Sequence, residues 1–180
     1  MVEIANNRGG KPMELIQRYR HHLSTARDSL LQEISSLNEH EFNQAKENAW
    51  SIGQICHHLW KTETLFTKAI LFGLKRRPIT DADRKPVEVV LDHAVKYQAL
   101  EIAVPDAGPF QVEELLQMLG ESRGLLLDML GKVEDPAAFA EIAVNHPRFG
   151  DLPLEQWIEL LYMHEQRHTE QIRELKSLQS

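Results

Sequence analysis

Residues 75–109, "KRRPITDADRKPVEVVLDHAVKYQALEIAVPDAGP", decide the fold, because they join two long helical patterns and far exceed the usual helix-to-helix connection. Neighbouring helices of a simple up-and-down bundle are joined by short loops, whereas a connection of this length can cross the whole bundle. The helices on either side are therefore expected to run parallel. The expectation is an all-α four-helix bundle with a long crossover between helices 2 and 3, in up-down-down-up order. Within the crossover, residues 86–95 are expected to hold a short helix and "YQALEIAVPDAGP" to be extended or irregular.

Hydrophobic spacing supplies the four helices. The first covers about residues 13–37, with Ile16, Leu23, Leu30, Ile34 and Leu37 on one stripe and Pro12 suited to its first turn. The second opens with "WSIGQI": Ser51 is a good N-cap, Gln54 completes a capping box, and Trp50 can staple onto Ile55. It runs on through Ile55, His58, Leu59, Leu65, Phe66 and Ile70, and Gly73 followed by "LKRRP" is expected to stop it. The third, about residues 111–130, contains Gly120 and Gly124, for which close approach of a neighbouring helix and loose sequence are equal explanations. The fourth, about residues 154–178, is entered through "VNHPRFGDLP", expected to be an ordered turn.

The chain has 180 residues, which suits one domain able to bury a hydrophobic core without staples, with residues 1–11 as a disordered N-terminal tail. The formal net charge is −7 and the cations are scattered apart from "KRR" at residues 75–77, which argues against nucleic acid or an anionic membrane as partner. One cysteine, Cys56, excludes an internal disulfide framework and fits a reducing compartment. No apolar run has the length to span a bilayer and the start has no secretory h-region, so a cytoplasmic location is expected.

Histidine is the compositional anomaly, with nine residues. "HEQRH" places His164 and His168 at i and i+4, one turn apart on one helix face. Trp157, Leu161, Gln171 and Leu175 fall within about 60° of His164 on the wheel, so the pair points inward. Of the adjacent His57 and His58, His58 shares its face with Ile55, Thr62, Leu65 and Ala69 and looks inward. His57 falls beside Lys61 and Thr64 and looks peripheral, with a structural or surface role. His58, His164 and His168 would form a three-nitrogen metal site with an open fourth position, the arrangement of catalytic zinc. The spacing leaves a second explanation standing, a packed polar core whose imidazoles bond to neighbours.

"HEQRH" also fits the H-E-x-x-H pattern of metalloproteases, in which Glu165 would activate water. Against this, Glu165 points away from the ligand stripe, no second domain or strand-rich region is evident, and the acids downstream, Glu170 and Glu174, lie too close on the same helix. Gln171 is a candidate to hold a ligand ring or a water from behind, or else a polar residue bonding to another helix. Cys56 lies about 200° from His58 and is expected to be a small buried residue. His21, His22, His40, His93 and His146 have no spacing that demands function, although His22 could approach the cavity; Trp157 and Tyr162 are expected to pack.

"WSIGQICHHLW" and "HPRFGDLPLEQWIELLYMHEQRHTEQI" resemble the two signature regions of the DinB/YfiT-like metalloenzyme superfamily. The resemblance implies a four-helix bundle with one metal-binding histidine from helix 2 and two, spaced H-x3-H, from helix 4. By position these are His58, His164 and His168. It further implies a divalent metal, zinc or nickel, a homodimer, a small-molecule substrate, and thiol-dependent transferase or related hydrolase chemistry using a low-molecular-weight thiol. The alternative is a non-catalytic, stress-associated bundle that binds a metal or a small ligand.

Overall fold

The computed structural model describes residues 10–47 and 49–178. Six α-helices and a small sheet follow in the order α1 (Gly10–Ile34), α2 (Glu39–Asn43), α3 (Ile52–Arg76), β1 (Ile79–Thr80), α4 (Val112–Gly131), α5 (Ala138–Glu141), β2 (Ile142–His146), β3 (Gly150–Pro153) and α6 (Leu154–Ser177). The four long helices are the four expected ones. The tail expected over residues 1–11 falls outside the described residues as far as residue 9, and its last two positions belong to α1.

Side-chain pairs along the helices fix the order. Arg27 meets Glu165 and Glu33 meets Arg173, so positions rise together and α1 and α6 are parallel. Glu63 meets Arg123, and Gly53 faces Phe110 just before α4, so α3 and α4 are parallel too. His58 beside His164, and Gly73 beside Leu154, make α3 and α6 antiparallel. This is the up-down-down-up bundle that the long crossover requires.

Local chemistry sets the ends of α3. Ser51 caps it, its hydroxyl accepting the Gln54 backbone N–H at 3.1 Å while Gln54 Oε1 accepts the Ser51 N–H at 3.0 Å. Gly73 does not stop the helix. A Cβ there would stand 2.7 Å from Leu154 Cδ2 and 2.9 Å from Val144 Cγ2, so its absence lets α6 and β2 pack on the backbone. The stop is Arg77, in left-handed conformation, its N–H donating to the Gly73 carbonyl. Gly120 and Gly124 face open space, which excludes close approach as their cause.

Two short elements and a sheet were not evident in the sequence. Asn38 and Glu41 form a capping box that starts α2 and drives Phe42 under the bundle. "VNHPRFGDLP" is more than a turn: β2 and β3 form an antiparallel hairpin with His146 opposite Gly150, and β1 from the crossover adds to the other edge of β2. Gly150 takes a positive φ of 68° beside the hairpin turn, a conformation that glycine adopts without steric cost. The crossover itself carries two 3-10 helices, Val87–Leu91 and Glu101–Ala103, the first within the stretch expected to be helical.

The apolar core lies in two parts. One packs Leu23, Leu126, Leu130, Trp157 and Leu161 toward the sheet; the other packs Leu30, Ile55, Leu119 and Ile172 at the opposite end. Along each long helix a buried polar layer lies between them: Arg27 from α1, Glu63 from α3, Ser122 and Arg123 from α4, Glu165 from α6. Arg27 donates to Glu165 at 2.5 Å and to Glu63 at 3.0 Å; Arg123 donates to Glu63 at 2.5 Å and to Glu165 at 2.7 Å. Two cations and two anions close a ring through all four helices, and backbone carbonyls of Leu23 and Leu119 take further guanidinium protons.

Candidate metal centre

α3 and α6 bring His58, His164 and His168 together. One ring nitrogen from each lies within 4.8 Å of the other two. His164 Nε2 is 3.1 Å from His58 Nε2 and 3.1 Å from His168 Nε2. Sequence alone could not set this convergence: His164 and His168 share a helix face, but His58 reaches them only because α3 runs antiparallel to α6.

The outer nitrogens define the tautomers. His58 Nδ1–H donates to the Ala103 carbonyl at 2.7 Å, and His168 Nδ1–H donates to Gln171 Oε1 at 2.8 Å. Both Nε2 atoms are therefore lone pairs, and both point at His164 Nε2. One proton there can satisfy only one of them. A cation satisfies all three, and bonds of about 2.0–2.1 Å at tetrahedral angles set nitrogens roughly 3.3 Å apart, close to the 3.1 Å that separates His164 from each of the other two. Burial holds all three imidazoles below their ordinary range, with mutual repulsion adding at His164, which lies well below it. His168 is pushed down to about 3. All three are therefore neutral at pH 7, the state that binds a metal. The donor set fits a divalent transition metal.

The cluster opens into a cavity of about 290 Å³. Its walls come from α3 (Thr62, Leu65, Ala69), α6 (Trp157, Leu160) and the hairpin turn, and its roof from the crossover, including Tyr97 and Leu100. The roof is fastened down by α6. Arg167 donates to the carbonyls of Val90, Asp92 and Val95, each at 2.7 Å, and Gln156 bonds both to the backbone N–H and to the carbonyl of Lys85.

The sequence profile of the DinB superfamily matches residues 22–172, most of the chain and all three histidines. The chain belongs to the DinB superfamily. It is 31% identical over 148 residues to YuaE of Bacillus subtilis, covering 80% of this chain and 88% of that protein. Among solved structures it resembles YfiT from Bacillus subtilis, described as a probable metal-dependent hydrolase with an unusual four-helix bundle topology, with TM-score 0.66 at 15% identity over 99% of this chain and 93% of that one. TT2238, a four-helix bundle protein, matches with TM-score 0.59 at 18% identity over 88% of this chain and 98% of that one.

Other candidates fall elsewhere in this DinB bundle. Glu165 is 2% exposed and both of its carboxylate oxygens accept from arginines in the buried ring, so it faces away from the histidines and cannot serve them as a base. His57 is not peripheral but buried, stacked between Trp60 and Phe110, its Nδ1 accepting the Asp106 N–H at 3.2 Å; it anchors the end of the crossover. His22 stacks on Tyr162 and does not line the cavity. Cys56 is fully buried and burial pushes its thiol up to about 12, so it is no nucleophile.

Three cavity residues were missed. Trp157 does more than pack, since it lines the cavity as well as touching Phe66 and His146 edge-on. His146, without helical spacing to signal it, is buried in the cavity wall, and Arg148 stands two residues on in the same turn. The only hint in the sequence was a histidine and an arginine in an ordered turn entering the helix that carries His164 and His168.

Proposed function

We propose that this DinB protein is a metal-dependent enzyme acting on a small molecule in the crossover-roofed cavity, with His58, His164 and His168 holding one divalent ion, zinc or nickel. One observation carries it: three Nε2 atoms converge with two tautomers fixed by Ala103 and Gln171, leaving lone pairs that only a cation can satisfy together. When bound, such an ion supplies Lewis acidity that activates water or a thiol near neutral pH. The chain's own residues do the rest. Ala103 and Gln171 orient the rings, Trp157 and Leu160 exclude water from one wall, and the roof limits what enters.

Two chemistries fit the site, hydrolysis and attack by a low-molecular-weight thiol on an electrophile; the description of YfiT supports the first and DinB-type resemblance the second. Since Cys56 is sealed away, a reacting thiol would come from solution. A metal serving only to staple α3 to α6 is disfavoured, because the charged ring already ties the four helices together and the cluster faces a cavity.

The test is the metal content, by plasma mass spectrometry, of protein purified without immobilised nickel. About one equivalent is expected in the wild type and almost none in His58→Ala. Cobalt substitution then reads the open position, since added azide should change the visible spectrum. No metal after adding zinc or nickel would overturn the proposal, and a spectrum indifferent to added ligands would leave only the staple.

A further inference from the structure

The cavity's charge is at odds with the chain's. With 27 Asp and Glu against 20 Lys and Arg, the protein is acidic, yet among the described residues no carboxylate lines the cavity while Arg148 and Arg167 do. Arg167 is engaged with three crossover carbonyls. Arg148 is different: its guanidinium stacks on Tyr97, 4.2 Å from the ring centre, and no carboxylate pairs with it among the described residues. It is exposed at the cavity mouth with its donors available.

Beside it, His146 is held in one tautomer. Its Nδ1 accepts the backbone N–H of Arg148 at 3.1 Å and of Phe149 at 3.4 Å, so in the neutral ring the proton sits on Nε2. Among the described residues that Nε2–H has no hydrogen-bond partner, and His146 lines the cavity. Phe66, Phe149 and Trp157 pack around the ring and fix its plane. An imidazole so held offers one hydrogen-bond donor, Nε2–H.

This donor lies far from the histidine cluster. His146 touches Trp157 at 4.8 Å between ring centres, and Trp157 precedes His164 by about two helical turns, or roughly 10 Å along α6. Apolar side chains fill the interval, Phe66, Ala69 and Leu160 among them.

We propose that the β2–β3 turn is the anion-receiving pole of the cavity, where Arg148 and the Nε2–H of His146 bind the carboxylate of a substrate whose apolar body reaches back to the three histidines. This rests on the metal-enzyme proposal above and adds the substrate class: small, apolar in the middle, anionic at the end remote from the reacting group. Cationic substrates find no counter-charge there.

The test uses full-length protein loaded with cobalt and two probes of similar length, 6-mercaptohexanoate and 6-mercaptohexan-1-ol. The thiolate-to-cobalt charge-transfer band reports the sulfur end alone, so affinity can be compared between probes that differ only at the far end. The acid is expected to bind about tenfold more tightly than the alcohol, the low end for a charge-assisted contact at a wet rim. Arg148→Met should lower its affinity to that of the alcohol, and Arg148→Lys should restore part of the preference. Equal affinities in the wild type, or a preference that survives in Arg148→Met, would overturn the anion pole and leave the metal site standing. No band with either probe in protein that binds cobalt, or no cobalt binding at all, would overturn the underlying proposal and this one with it.

Discussion

Glu165 and His164 are neighbours in sequence with opposite tasks: one completes a buried ring of charges, the other faces the cavity. Glu165→Gln leaves Arg27 and Arg123 with too little negative charge in a dry layer, where breaking one partner of a buried pair costs about 3–5 kcal/mol. Urea unfolding should show that loss while metal bound per folded molecule stays the same. A stable Glu165→Gln protein without activity would instead restore a protease-type base. Gln171→Ala should do the reverse, weakening metal affinity about 10–100-fold in a chelator competition while leaving the melting temperature of metal-free protein nearly unchanged. At this scale the wheel was enough to turn His58 toward His164 and His168 and to put Gln171 beside His168, since both follow from position on one helix, but it misread the buried His57 as peripheral. The charged ring was not legible, because Arg27, Glu63, Arg123 and Glu165 each look like an ordinary surface charge until four helices are assembled. His146 was missed for the same reason: its neighbours Phe66 and Trp157 come from two other elements.

Among the elements, glycine gives the sharpest contrast. At Gly73 an added methyl would collide with Leu154 and Val144, so Gly73→Ala should destabilise by about 1–3 kcal/mol as α6 and β2 are pushed off α3. At Gly120 and Gly124, exposed and with nothing nearby, Ala should stabilise α4 by about 0.5–1 kcal/mol each. Thermal melts of the three single variants check both directions, and a stabilised Gly73→Ala would show that the helices can separate without cost. The sequence marked Gly120 and Gly124 as awkward helix residues and Gly73 as a stop, but could not tell which served packing, since that depends on what lies across the groove. Helix starts fared better. Ser51 and Gln54 announce α3 to the residue because a capping box is local chemistry, whereas the place of β1 in the sheet stayed hidden because its pairing of Ile79 with Ala143 joins segments far apart in the chain.

For the whole molecule, the up-down-down-up order brings α3 and α6 side by side and so gathers neutral imidazoles in one buried region, with a consequence for stability. Burial pushes His146 down to about 4, with the Arg148 charge adding to it, and His168 down to about 3, while His58 and His164 also lie below the ordinary value near 6.5. In the unfolded chain these groups protonate near pH 6.5, so below that pH the unfolded state binds more protons than the folded state. The metal-free protein should therefore be most stable above about pH 6.5 and lose stability steadily as pH falls toward 4, in the sense required when the folded state depresses a base's pKa. Urea midpoints at pH 7.5, 6 and 5 in the presence of a chelator measure this, and His146→Phe should flatten part of the slope. A saturating divalent metal should raise the midpoint at every pH, by about 4 kcal/mol at a thousand times its dissociation constant. Because burial lowers the pKa of all three candidate ligand imidazoles, that of His168 to about 3, they should release fewer protons on binding metal at pH 6 than ordinary imidazoles would. Three imidazoles with ordinary pKa values would release about two. Calorimetry at pH 6 in buffers of different ionisation enthalpy separates these cases, and a release near two protons would mean that the cluster is open to water, with its rings ordered only by the metal.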